Sequence, residues 1–269
     1  MEIDGRVVIV TGGAGGIGRA LAKRFHADGA RAVVVADLDG AGAEAIAAEL
    51  EAARPDSALG LSVDVGDAAA VNGLVDRAEQ AFGPVDLFCA NAGVALGTDP
   101  IETPDDDWEL AWRVNTAAHI YAARRLLPGW LDRGDGYFLS TASAAGLLSQ
   151  IGSAPYAVTK HAAVAFAEWL AITYGDRGVK VSCLCPQGVN TAMLNAGEAD
   201  GIANAAASAV KAGGAVLEPD DVAKVVAQAL ADERFLILPH PEVLTYWQRK
   251  TADTDRWLAG MRRLQAMVS

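Results

Sequence analysis

Short, almost wholly apolar runs recur along the chain at residues 6–11, 32–37, 58–64, 86–91, 137–141, 179–185 and 235–238, rich in Val, Ile and Leu. Runs of this length with no polar alternation read as strands buried on both faces. Between them, residues 19–28, 40–53, 68–82, 104–131, 156–177 and 220–231 carry apolar side chains at helical spacing. Strand and helix alternate throughout, which predicts βαβ units on a parallel sheet. Punctuation agrees: Gly29 follows the first helical pattern as a left-handed stop, and Thr103-Pro104 reads as an N-cap and first helical residue.

No Pro/Ser/Gly-rich linker divides the 269 residues, so 1–269 is expected to be one domain. Residues 191–217 differ from the rest, being Ala- and Gly-dominated with few bulky anchors, and read as a candidate lid. Hydrophobic residues make up 52% and charged residues 21%, an ordinary globular balance that excludes a disordered chain. Thirty-four acidic against 22 basic residues give a net charge of −12, which opposes binding to nucleic-acid backbones and anionic membrane surfaces. Cys89, Cys183 and Cys185 are too few for a disulfide framework, and residues 1–10 lack a basic start and an apolar stretch. A cytoplasmic protein is expected.

The first strand runs into Thr11-Gly12-Gly13-Ala14-Gly15-Gly16-Ile17-Gly18, and a helix starts near Ile17. Small residues there let backbone N–H groups and a helix N-terminus approach a pyrophosphate. Two glycine registers fit, 13-15-18 and 12-16-18. Asp37 ends the second strand nineteen residues past Gly18, where a carboxylate accepts hydrogen bonds from ribose hydroxyls and repels a 2′-phosphate. With no Lys or Arg at 12–18, NAD is expected over NADP. Asp64 and Val65 close the third strand and Asn91-Ala92-Gly93 the fourth; ends of parallel strands line ligand crevices, so these residues are assigned to the cofactor cleft.

Ser143 follows the fifth strand, and Tyr156 and Lys160 lie four apart on one helix face. An ammonium near a phenol favours the phenolate, and a shift of two or three units from about 10 takes roughly 3 to 4 kcal/mol. Such a pair makes a general acid/base. Thr11 to Gly18, Asp64, Asn91-Ala92-Gly93, Asn115, Ser143, Tyr156-x-x-x-Lys160 and Pro186 to Thr191 together resemble the short-chain dehydrogenase/reductase family, over about residues 6–238.

The resemblance implies a Rossmann-type doubly wound parallel sheet of seven strands flanked by helices on both faces. It implies that Tyr156 moves the hydroxyl proton, Ser143 binds the substrate oxygen, Lys160 holds the nicotinamide ribose and lowers the phenol pKa, and Asn115 supports a relay water. Pro186, Val189 and Thr191 are then cofactor contacts. Gln187 departs from the glycine usual after this proline and is assigned to the substrate pocket with Ala145, Gln150 and Met193.

The expected reaction interconverts a neutral, moderately hydrophobic secondary alcohol and a ketone. Two alternatives stay open: reduction of an activated C=C or C=N bond, and a noncatalytic NAD-binding protein. Family resemblance also implies a homo-oligomer, dimer or tetramer. The Asp105-Asp106-Asp107 run suits a helix N-terminus, and His26, His119, His161 and His240 lack ligand spacing, so no metal is assigned. The tail, 239–269, reads as an amphipathic helix covering its own domain.

Overall fold

Strand register follows from which side chains share a face. Ile9 lies opposite Val34 and Phe88, Phe88 opposite Phe138, and Phe138 opposite Val181. All five belong to one apolar core, while their chain neighbours Val10, Val35, Cys89 and Leu139 belong to another on the opposite face. A strand buried on both sides needs no polar alternation, which is why the runs read as continuous.

In the computed structural model, which describes residues 1–196 and 203–268, the seven strands are β1 (Val7–Thr11), β2 (Ala32–Asp37), β3 (Ala58–Ser62), β4 (Leu87–Ala90), β5 (Gly136–Thr141), β6 (Val179–Leu184) and β7 (Leu236–Ile237). They form one parallel sheet in the order β3-β2-β1-β4-β5-β6-β7, the doubly wound topology expected. The connecting helices are α1 (Gly16–Ala27), α2 (Gly40–Ala53), α3 (Ala68–Phe82), α4 (Asp105–Trp112), α5 (Ala118–Arg133) and α6 (Ala154–Tyr174). After β6 come α7 (Ala192–Ala196), α8 (Ala203–Ala212) and α9 (Pro219–Ala231), then α10 (Glu242–Ala252) and α11 (Thr254–Val268) beyond β7. Helices α1, α2 and α9 cover one face and α3, α5 and α6 the other, as Leu21, Ile46 and Val226 share one core and Leu74, Leu126 and Ala163 the other.

Three local features differ from the sequence reading. The helix expected at 104–131 is interrupted by a π-helical turn, Arg113–Ala117, in which Ala118 N–H donates to Arg113 O. Thr103 does not cap α4: its hydroxyl accepts from Thr98 N–H at 2.8 Å, and the acidic first turn Asp105-Asp106-Asp107 faces the helix dipole instead. The tail is two helices, because Asp253 turns extended and its carboxylate accepts from Arg256 N–H to start α11. Residues 197–202 of the candidate lid lie outside the described residues; α7 and α8 flank them.

The order of strands reverses between β1 and β4, so their loops separate at the carboxyl edge and leave a crevice there. Among the described residues, no helix is long and apolar enough to cross a membrane.

Candidate active site

The glycine turn lies in that crevice, and its backbone selects between the two registers. Gly12 and Gly16 have φ of +65° and +50°, the left-handed region that a side chain resists. A Cβ on Gly18 would sit 2.0 Å from Gly12 O, and one on Gly12 2.9 Å from Ala92 Cα. Gly15 is extended, and a Cβ there meets nothing within 4 Å. Positive φ at Gly12 and Gly16 and the crowding at Gly18 favour the 12-16-18 set; a Cβ on Gly13 would also stand 2.6 Å from Val35 Cγ1, but Gly15 faces open space. No side chain caps α1, so its N-terminal amides stay free for an anion.

Neighbouring strand ends hold this turn in place. Thr11 Oγ1 accepts from Asn91 N–H and Ala92 N–H, at 3.0 and 3.2 Å, and Asn91 Nδ2 donates to Thr11 O at 3.0 Å. The Asp37 carboxylate takes Ala14 N–H and Asp39 N–H, both at 3.0 Å, one on each oxygen, and keeps lone pairs for other donors. Asp64 accepts from Gly66 N–H and shapes the β3–α3 loop; Val65 is buried. A Cβ on Gly16 would meet the Thr191 methyl at 3.0 Å, so the loop after β6 reaches across to the α1 N-terminus.

The chemical residues come from three different elements. The wide turn at 113–117 carries Asn115 to the backbone of Val94, where its carboxamide both accepts from N–H and donates to C=O at 2.9 Å. Asn115 Nδ2 also reaches Thr159 Oγ1 at 3.1 Å, tying the turn to α6. Lys160 is buried and its ammonium donates to Thr141 O at 3.0 Å. A Cβ on Gly93 would stand 3.2 Å from Asn115 Oδ1 and 3.3 Å from Lys160 Nζ, so both groups converge on the loop after β4. Ser143, extended before a short 3₁₀ turn, accepts from Ala145 N–H at 3.1 Å and bonds to Pro186 O at 3.4 Å.

Electrostatics differ from the expectation at one point. Burial raises the Tyr156 phenol above its ordinary value, and the neighbouring Ser143 hydroxyl offsets part of that rise. The depression expected from Lys160 does not emerge: its Nζ lies 5.7 Å from the phenol ring centroid, and burial lowers Lys160 itself to about 8. Taking a cation and a phenol out of water together penalises both charged forms.

The sequence model of the family described as short chain dehydrogenase matches residues 6–202. The chain belongs to the short-chain dehydrogenase family. It is 36% identical to a 1-deoxy-11-beta-hydroxypentalenate dehydrogenase of Streptomyces exfoliatus, over 90% of this chain and 86% of that one. It is 33% identical to a meso-2,3-butanediol dehydrogenase of Serratia marcescens, over 88% and 92% of the two chains. A short-chain dehydrogenase/reductase from Burkholderia phymatum, solved in complex with NAD, superposes with a TM-score of 0.86 at 31% identity, covering 95% of this chain and 96% of its own.

In this short-chain dehydrogenase, the residues assigned to the substrate side are not all in one place. Ala145 is buried behind Ser143, Gln150 bonds to Ile151 O, and Met193 on α7 is exposed. Gln187 is turned toward α8, donating from Nε2 to Val210 O at 3.2 Å. Sequence reasoning missed the residues that fasten these loops. His240 accepts from Gln187 N–H at Nδ1 (3.2 Å) and meets Gly188 O at Nε2 (3.0 Å), so Nδ1 serves as acceptor and Nε2 as donor. From α10, Tyr246 donates to Gly213 O at 3.0 Å and Lys250 to Leu147 O at 2.6 Å. The position of His240 just past the last strand was the available signal, since parallel strands end at the crevice. Tyr246 and Lys250 gave none.

Proposed function

We propose that the chain is an NAD-dependent dehydrogenase that interconverts a secondary alcohol and a ketone. The observation that carries this is the convergence of Asn115 and Lys160 on Gly93, with Ser143 beside Tyr156 at the same strand edge. A cradle of free amides at Gly16, two glycines with positive φ and a strand-end carboxylate at Asp37 suit a dinucleotide. When bound, the nicotinamide supplies the hydride acceptor or donor.

In the oxidative direction, Ser143 holds the carbinol oxygen through its hydroxyl while Tyr156 takes the hydroxyl proton as the C–H bond is lost. Lys160, an ammonium below about pH 8 whose Nζ lies 5.7 Å from the Tyr156 ring, positions the ribose, and Asn115 supports the proton path away from it. The reverse sequence reduces the ketone. Gly12, Gly15, Gly16, Ile17, Gly18, Asp64, Val65, Asn91, Ala92, Pro186, Val189 and Thr191 form the remaining cofactor wall. Asp37, with no basic residue at 12–18, favours NAD over NADP. A chain with only three cysteines, all buried, suits a cytoplasmic setting, and exposed Trp169 and Ile172 on α6 support a homo-oligomer.

The test is reduced-cofactor formation from cyclic, aryl and aliphatic secondary alcohols, with NAD and NADP in parallel and Tyr156→Phe as the control. Turnover with NAD is expected, lost by at least about a hundredfold in the variant. Preference for NADP would remove the role given to Asp37. Tight NADH binding with no turnover across the panel would overturn the reaction.

A further inference from the structure

The Gln187 carboxamide is half satisfied. Nε2 donates to Val210 O on α8, while Oε1 is buried and has no hydrogen-bond partner among the described residues. Its orientation is fixed: turning the amide over would set Oε1 against the Val210 carbonyl, two acceptors face to face. The donors placed in this cluster are committed elsewhere, His240 Nε2–H to Gly188 O and Tyr246 O–H to Gly213 O. Gly213 packs directly on the carboxamide, since a Cβ there would stand 2.4 Å from Nε2. The backbone of Gln187 is pinned by His240, and the residue before it, Pro186, carries the carbonyl that accepts from Ser143 Oγ. Gln187 is therefore the chain neighbour of the residue that meets Ser143, with its own carboxamide under α8.

A buried acceptor without a donor disfavours the arrangement that buries it. With α8 lifted, water satisfies Oε1; with α8 docked through Val210, Oε1 needs a donor from whatever lies beneath. We propose that Gln187 is a specificity-determining residue that favours substrates carrying a second hydrogen-bond donor, a hydroxyl next to the carbinol that reacts. Such a hydroxyl satisfies Oε1 and stabilises the docked position of α8, whereas a simple alcohol leaves the acceptor orphaned. This rests on the alcohol dehydrogenase reading above and names its substrate class: vicinal diols and hydroxyketones over mono-alcohols. A site built to hydrogen-bond a substrate hydroxyl discriminates against analogues that lack it far better than an apolar pocket discriminates by size.

The experiment compares kcat/KM with NAD for matched pairs, 2,3-butanediol against 2-butanol and trans-1,2-cyclohexanediol against cyclohexanol, in the wild type, Gln187→Met and Gln187→Glu. Methionine keeps the length and removes both polar atoms; glutamate keeps the acceptor and removes the Val210 donor. The expected result is a wild-type preference for the diol of on the order of tenfold or more, reduced about tenfold by Gln187→Met and retained in sign by Gln187→Glu. Melting temperature and NADH affinity of each variant separate a folding defect from a lost contact. An equal fall for both members of a pair in Gln187→Met, or no diol preference in the wild type, would overturn the proposal and leave the dehydrogenase reading intact. Absence of turnover for all four alcohols and for the wider panel would overturn that reading and this proposal together.

Discussion

His119 shows what a single buried titratable group does to the molecule. It is 1% exposed, its Nδ1 shares a hydrogen bond with Ser140 Oγ at 3.0 Å, and its Nε2 has no partner among the described residues. Burial first, and the charge of Lys160 second, push its pKa down to about 3. An unfolded chain protonates the same ring below about 6.5. Between those values the unfolded state binds the extra proton, so stability falls as pH drops from about 6.5 toward 3 and is unaffected by this group above 6.5. One proton corresponds to a slope of about 1.4 kcal/mol per pH unit. His119→Leu should flatten the dependence by about half that amount at pH 6.5 and nearly all of it at pH 5, measured by urea unfolding between those values, where few carboxylates titrate. An unchanged slope would mean that the ring is hydrated or charged in the folded protein. Lys160 carries the same sign in a different window: lowered to about 8 in the fold, it makes stability rise with pH between about 8 and 10.5. Neither effect was legible in the sequence, because burial and the direction of a ring nitrogen depend on neighbours far along the chain. Tyr156 and Lys160 could be paired by their spacing, but which influence dominates the phenol could not.

At the level of elements, the turn between β1 and α1 illustrates how far a motif reads and where it stops. Composition marked six small residues, and strand-then-helix context marked the cofactor cleft. Which glycines are obligatory depended on φ values and on the backbone of Asn91-Ala92, contributed by β4. The distinction is testable. Gly18→Ala places a methyl 2.0 Å from Gly12 O and is expected to cost at least about 2 kcal/mol and to abolish NADH binding. Gly15→Ala enters open space from an extended backbone and should change stability by less than about 0.5 kcal/mol. Thermal unfolding with and without NADH checks both, and equal effects would refute the 12-16-18 assignment. The π-turn at 113–117 marks the opposite limit. Hydrophobic periodicity predicted one helix through Asn115 and is insensitive to a single widened turn, yet that turn is what brings the carboxamide to Val94. The split of the tail at Asp253 was similarly hidden, since one Asp between two amphipathic stretches looks like a surface residue until its carboxylate is seen capping α11.

Across the whole molecule, the parallel sheet of βαβ units was readable because apolar strand runs alternate with helical patterns along the chain, whereas the order of its strands and the α6 surface were not. Most apolar side chains of α6 are spent on the sheet, but Val158, Trp169 and Ile172 are exposed at 52, 53 and 84%. Trp112 at the end of α4 is also exposed, at 47%. Scattered exposed apolar residues are ordinary; an uncovered tryptophan and isoleucine within one helical turn of each other, in a chain whose net charge of −12 already favours solubility, form the surface that a partner copy in the proposed homo-oligomer would cover. A second copy is the economical occupant, since an isologous contact places the same helix against itself about a two-fold axis. Trp169→Glu with Ile172→Glu should then halve the mass in solution, or reduce a tetramer to dimers, at micromolar concentration, while the isolated fold survives because neither side chain enters either core. Because α6 also carries Tyr156 and Lys160, loss of the partner should lower kcat as the helix loses support, with little change in the far-ultraviolet spectrum. Sedimentation of the wild type as a monomer would dismiss the partner, and an assembly untouched by the two charges would move the interface elsewhere. The tail offers the independent alternative: α11 packs on α8 and α10 and exposes Leu258 and Met267, so removing residues 254–269 distinguishes an interface built there from one built on α6.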